Sequence, residues 1–117
     1  MDFKKQKPIY LQIAETLMEQ VLQGQLAADD RVPSVRDVAA SMGVNPNTVV
    51  RTFDYLQQEE IIYNRRGVGY FVAADARERI LTHQRREFLK EELPYIRQRM
   101  KTLGISIEEL KTLDQEA

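Results

Sequence analysis

The sequence predicts a mainly α-helical chain with one small β-hairpin and a helical tail. Three observations support this prediction. Apolar residues recur at helical spacing over most of the 117 residues. Glycine, proline and helix-capping residues divide that pattern into short helices. One stretch of β-prone residues, 61–72, surrounds a basic tip that contains glycine, which is a hairpin pattern.

Composition limits the classes of protein that fit. A chain of 117 residues holds one ordinary domain, or a small domain with an appendage that needs a partner. It has no apolar run of membrane-spanning length and no signal-peptide stretch at its start, so we expect a cytoplasmic protein without a membrane partner. Cysteine is absent and His83 is the single histidine. We therefore expect no metal, no cofactor, no catalytic residues and no enzyme.

Bulk charge argues against a strongly basic nucleic-acid binder, because the net charge is −1 and the pI is about 5.9. Residues 1–74 contain 8 Lys and Arg against 9 Asp and Glu. Lys4, Lys5 and Lys7 precede the first predicted helix, where they contact phosphate or form a frayed basic terminus. Any DNA-binding interpretation must therefore depend on where the basic residues are placed.

Capping signals define the first three helices. Apolar spacing predicts a first helix over residues 8–23, followed by a turn with a very short strand at residues 31–32. Ser34 is suited to cap a second helix that Gly43 ends. Asn45 is suited to cap a third helix with Pro46 at its first position, running over residues 46–59.

The order of these elements predicts a winged helix-turn-helix over residues 1–74. The second and third helices are joined by a short turn that contains glycine, as in a helix-turn-helix. The hairpin over residues 62–72 follows the third helix directly and is therefore a wing. A DNA-binding domain of this kind places its third helix in the major groove and, by our interpretation, its wing at the minor groove.

Residues 75–117 are predicted to form a helical dimerisation tail. An apolar stripe at helical spacing extends from Ile80 to Leu103, and Gly104 marks a break before a last helix over residues 107–113. Pro94 should kink or split the long helix. This segment is too short to enclose a core alone, so we expect a two-fold homodimer through residues 75–117.

The third helix carries the candidate base-reading residues Asn47, Thr48 and Arg51, which the helical period predicts to share one face. Arginine pairs with guanine and asparagine with adenine through two hydrogen bonds, while threonine suits phosphate or the thymine methyl group. The alternatives are first-turn capping or solvation for Asn47 and Thr48, and a surface ion pair with Asp54 for Arg51.

Two further groups complete the candidate DNA-binding set. Ser34 and Arg36 begin the second helix, where a hydroxyl, a helix N-terminus and a guanidinium suit phosphate. Arg65, Arg66 and Gly67 form the wing tip, which suits the negative minor groove. The alternatives are a helix cap beside an exposed charge and a hairpin turn with solvated arginines. His83 is interpreted as a surface or interface residue rather than a ligand.

Three segments in order resemble the GntR family of bacterial transcription regulators. They are Pro33-Ser34-Val35-Arg36-Asp37-Val38-Ala39, Gly43-Val44-Asn45-Pro46-Asn47-Thr48-Val49 and Arg66-Gly67-Val68-Gly69-Tyr70-Phe71-Val72. The resemblance covers about residues 8–73, and the Asn-Pro-Asn-Thr-Val version with a short tail is similar to the YtrA subfamily. That similarity implies a tail used for dimerisation and, often, control of transporter operons. It also implies that Arg36, Asn47, Thr48 and Gly67 occupy the family's DNA-contact positions.

Two positions depart from the family pattern. Many members have arginine where Pro46 and Val50 stand here. Contacts from those positions are therefore lost, and Arg51 or the wing is expected to compensate. The operator sequence of a better-known relative does not transfer to this chain.

These observations lead to two function hypotheses. The first is a dimeric, sequence-specific DNA-binding regulator, expected to be a repressor, that reads a pseudo-palindromic operator in double-stranded DNA with half-sites about one helical turn apart. The alternative is a winged-helix protein-interaction module without specific DNA binding, since a fold does not fix a function. Nothing in the sequence identifies a small-molecule effector.

Overall fold

The computed structural model describes residues 7–116, so Lys4 and Lys5 lie outside the described residues. The described residues form two compact units, 7–83 and 84–116. The functional boundary after residue 74 stays a prediction, and helix α4 continues from the first unit into the second.

The first unit is a winged helix-turn-helix, as predicted. Its elements in chain order are α1 (Ile9–Leu22), α2 (Val35–Met42), α3 (Pro46–Gln58), β1 (Ile62–Arg65), β2 (Gly69–Val72) and α4, which spans Ala76–Glu87. The predicted caps are confirmed, because Ser34 Oγ accepts from the Asp37 N–H at 3.1 Å and Asn45 Oδ1 from the Asn47 N–H at 2.8 Å. Gly43 ends α2 with φ 66°, in the left-handed region that favours glycine.

The core of this unit lies where α1, α2, α3, the hairpin and the start of α4 meet. Phe53, Leu56, Ile61 and Ile80 are among its fully buried side chains. Thr52 is the one buried polar residue in the described part of the chain. The apolar faces of four helices and one hairpin thus fix the direction in which α3 presents its opposite face.

The hairpin pairs β1 with β2 antiparallel, with Ile62 opposite Val72 and Arg65 opposite Gly69. The very short strand predicted at residues 31–32 is present as a single bridge between Arg31 and Phe71. Val32 reinforces it by donating its N–H to the Tyr70 carbonyl at 2.8 Å. The wing is therefore attached to the loop before α2.

The second unit is helical. The C-terminal end of α4 is followed by a π-helical turn over Phe88–Glu92, by α5 (Leu93–Leu103) and by α6 (Ile107–Glu116). Pro94 lies in the first turn of α5, directly after this π-helical turn, and Glu92 and Leu93 keep helical backbone angles. Of the two predicted outcomes, the helix is therefore not split at Pro94, and the irregularity takes the form of the π-helical turn before it. The last helix extends beyond residue 113, because residues 114–116 include no glycine or proline to end it. None of the described helices has both the length and the apolar character of a membrane span.

Candidate nucleic-acid interface

Helix α3 presents a polar face to solvent because its other face belongs to the core. Val49 and Phe53 are buried, whereas Asn47 and Arg51 on the opposite side are exposed. Thr48 is half-buried at the edge of this face. The structure therefore brings the predicted reading residues together on one side of α3.

Arg51 is not an isolated surface charge. Its guanidinium carbon lies 4.0 Å from the centre of the Tyr10 ring, which belongs to α1. Within the described residues, no ion pair joins Arg51 to Asp54, so the alternative considered from the sequence is not formed. Arginine commonly stacks on aromatic rings in this way.

The start of α2 places two predicted residues at the surface. Ser34 and Arg36 are both exposed, and Ser34 uses its side-chain oxygen to accept the Asp37 N–H. A serine hydroxyl that accepts one hydrogen bond still has its own proton to donate. The cap interpretation of Ser34 is thus confirmed, and it is compatible with a phosphate contact.

The wing tip is held by a tight turn. The Val68 N–H donates to the Arg65 carbonyl at 2.8 Å, and Gly67 between them has φ 77°. A turn position that requires a positive φ favours glycine. The Arg65 guanidinium carbon lies 5.2 Å from the centre of the Phe71 ring, while Arg66 is exposed at the tip.

The base of the wing carries a further hydrogen bond. The Tyr63 hydroxyl donates to Asp29 Oδ1 at 3.1 Å. Desolvation first, and then this hydrogen bond with the Asp29 carboxylate, raises the pKa of Tyr63 above its ordinary value. The hydrogen bond from the Tyr63 hydroxyl ties β1 to the loop before α2.

Two residues that the sequence did not single out lie beside the predicted set. Arg31 packs its guanidinium against Gly69 of the wing, where a Cβ added to that glycine would lie 3.1 Å from Arg31 Nε. The predicted pairing of residues 31–32 was the available signal for this contact. Tyr10 lies under Arg51, and no local pattern connects two residues so far apart in sequence.

The placement of charge resolves the objection raised by the net charge. In the first unit, Arg77 donates to the Leu22 carbonyl at 2.6 Å and Arg79 pairs with Glu60 at 2.8 Å. Five other arginines are exposed and have no carboxylate within ion-pair distance among the described residues: Arg31, Arg36, Arg51, Arg65 and Arg66. Their charges are available to the phosphates of DNA. Contacts between such cations and phosphates supply much of the affinity of proteins for DNA.

Comparison with known proteins agrees with this geometry. The model of the family described as bacterial regulatory proteins, gntR family, matches residues 9–72. YhcF, an HTH-type transcriptional regulator of Bacillus subtilis, is 37% identical over 92% of this chain and 88% of its own length. The HTH-type transcriptional repressor YtrA of the same organism is 32% identical over 94% of this chain and 84% of its own length.

Solved structures show the same fold. A GntR-family transcriptional regulator from Bacteroides thetaiotaomicron has a TM-score of 0.82 and 44% identity over 93% of this chain and 95% of that one. The DNA-binding domain of AraR in complex with its operator ORX1 has a TM-score of 0.55 and 27% identity over 57% of this chain and 81% of that one. The AraR domain, whose fold is similar to that of the first unit, therefore binds operator DNA. The chain belongs to the GntR family and is a DNA-binding transcriptional regulator.

Proposed function

We propose that this regulator is a dimeric repressor, acting in the cytoplasm, that reads a pseudo-palindromic operator with α3 in the major groove and the wing at the minor groove. The observation that carries the proposal is the exposed face of α3, where Asn47 and Arg51 lie opposite the buried Val49 and Phe53. A helix that is fixed by its apolar face and polar on the other is suited to the groove. Family membership makes the chain a transcription regulator rather than an enzyme.

The proposed DNA-contact residues are Ser34, Arg36, Asn47, Thr48, Arg51, Arg65, Arg66 and Gly67. Asn47 and Arg51 are assigned to base edges, because both carry side chains that form two hydrogen bonds with one base. Ser34, Thr48 and Arg36 are assigned to the flanking phosphates. Gly67, which follows Arg65 and Arg66, lets the backbone of the tip approach the minor groove.

The tail supports dimerisation because it leaves large apolar side chains uncovered. No residue of α5 or α6 is buried within the described residues. Phe88, Leu103, Ile107 and Leu113 are 41%, 57%, 66% and 62% exposed, respectively. Exposed apolar side chains in this number mark an interaction surface, and a second copy of the chain is the common solution.

The proposals of repression and of the type of target operon rest on similarity to relatives. The relative YtrA is named a transcriptional repressor. Resemblance to its subfamily favours a transporter operon as the target of this chain. Two subunits related by a two-fold axis would read half-sites about one helical turn apart.

Selection of genomic fragments with the purified protein tests the proposal. We expect enrichment of one palindromic site that Arg51→Ala fails to enrich, while the exposed Gln57→Ala on the same helix enriches it normally. Recovery of nothing above background at low salt would contradict sequence-specific binding. That result would favour the protein-interaction module. Co-purification of a protein partner, at the same level with the unchanged protein and with Arg51→Ala, would then identify such a module.

A further inference from the structure

The ring of Tyr10 forms a support under the Arg51 side chain. The guanidinium carbon of Arg51 lies 4.0 Å from the ring centroid. Tyr10 is half-buried in the first turns of α1, whereas Arg51 is exposed on α3. A residue outside the recognition helix thus contacts the arginine that we assign to base reading.

The position of Tyr10 is fixed from the α3 side. Buried Thr52, the neighbour of Arg51, donates its hydroxyl to the Tyr10 carbonyl at 2.7 Å. The Tyr55 ring meets the Tyr10 ring edge-on at a centroid distance of 6.3 Å, and its hydroxyl hydrogen-bonds His83 Nε2 at 3.1 Å. Backbone and ring of Tyr10 are therefore both held against one turn of α3.

Stacking on a ring leaves the hydrogen-bonding capacity of arginine intact. The N–H donors of a guanidinium lie in its plane, whereas the ring contacts only one flat face. An unrestrained arginine loses side-chain freedom when it binds, which weakens binding. A stacked arginine has already lost much of that freedom in the free protein.

We propose that Tyr10 is a positioning residue that pre-orders the Arg51 guanidinium for base contact and thereby contributes to the sequence specificity of α3. This inference rests on the proposed reading role of Arg51. It assigns to α1 a part in operator recognition that does not require Tyr10 to contact DNA.

Binding to the operator fragment recovered by the genomic selection tests this role. Tyr10→Phe keeps the ring and should bind within about twofold of the unchanged protein. Tyr10→Leu removes the ring and should weaken binding about three- to tenfold, the effect expected from freeing one long side chain. In an Arg51→Ala background, Tyr10→Leu should have no further effect, because nothing is left to position. An equal loss in both backgrounds, or no loss in either, would overturn the proposal.

A second measurement uses the unchanged protein and does not depend on any variant folding. Nitrogen-15 relaxation of arginine Nε–H groups should show Arg51 more rigid than Arg66, which has no ring or ion-pair partner among the described residues. Equal mobility of the two side chains would overturn the proposal. If the protein binds its operator specifically but Arg51→Ala binds equally well, this inference fails while the proposed function stands. If no fragment is enriched, the proposed function itself fails.

Discussion

Thr52 Oγ1 donates a hydrogen bond to the carbonyl oxygen of Tyr10 at 2.7 Å, and this bond joins α3 to α1 inside the core. The same oxygen lies 3.2 Å from the Thr48 carbonyl, one turn earlier in α3. A hydroxyl has one proton, so the shorter contact to Tyr10 is the stronger bond. A buried polar group thus fixes the relation between the recognition helix and the helix that supports Arg51.

Removing this hydroxyl should destabilise the fold. Thr52→Val keeps the shape of the side chain and should lower the free energy of unfolding by about 1 kcal/mol, the net value of a typical hydrogen bond. Urea denaturation followed by circular dichroism measures the change. Thr112→Val is the matched control, because the exposed Thr112 hydroxyl donates to the Glu108 carbonyl one turn back in α6. The control should stay within about 0.5 kcal/mol. Equal effects of the two substitutions would contradict the core role of Thr52.

The two wing glycines should differ in their tolerance of alanine. Gly67→Ala meets no atom within 4 Å and should cost only the strain of positive φ, about 1–2 kcal/mol. Gly69→Ala at φ 138° should cost more, because the new methyl group also meets the Arg31 guanidinium. Thermal unfolding of both variants checks the order.

A double variant separates the two causes at position 69. When Arg31→Ala is combined with Gly69→Ala, the stability lost through the side-chain contact should be restored. The stability lost through the strained backbone should not be restored. Equal losses for Gly69→Ala with and without Arg31→Ala would show that the cost at position 69 comes from the backbone alone.

Asn47 and Arg66 should affect DNA binding in different ways. Asn47→Ala should cost about 1–3 kcal/mol and relax base preference at one position of each half-site, since its contact is assigned to a base edge. Arg66→Ala should weaken binding to all sequences and reduce the slope of log affinity against log salt by about 1. Titrations of operator variants at several salt concentrations distinguish the two effects. A purely sequence-independent loss for Asn47→Ala would remove it from the reading set.

Charge placed in the apolar surface of α6 should break the proposed dimer. Leu110 is 44% exposed and lies beside Ile107 and Leu113 along a groove of the tail. Leu110→Glu should weaken the dimer about tenfold or more, because burying an unpaired charge is costly. Sedimentation equilibrium measures the change, and operator affinity should fall with it. Gln115→Glu adds the same charge beside the exposed polar residues of α6 and should leave the dimer unchanged. Dissociation by both variants would indicate a general charge effect instead.

The sequence by itself determined the elements of the first unit. Ser34, Gly43, Asn45 and Pro46 act within one or two turns of their own positions, so local rules were sufficient to place α2 and α3. The hairpin and an irregularity of the long helix near Pro94 followed for the same reason. The identity of most candidate DNA-contact residues also came from local pattern and family resemblance.

Tertiary structure alone decided what those residues touch. The stack of Arg51 on Tyr10 and the packing of Arg31 against Gly69 join residues that are distant in sequence, and no helical or strand period relates them. Likewise, the sequence did not distinguish Arg79, held by Glu60, from the arginines left without an ion-pair partner among the described residues. Periodicity assigns a side chain to a face, whereas the partner it meets there depends on how separate elements pack.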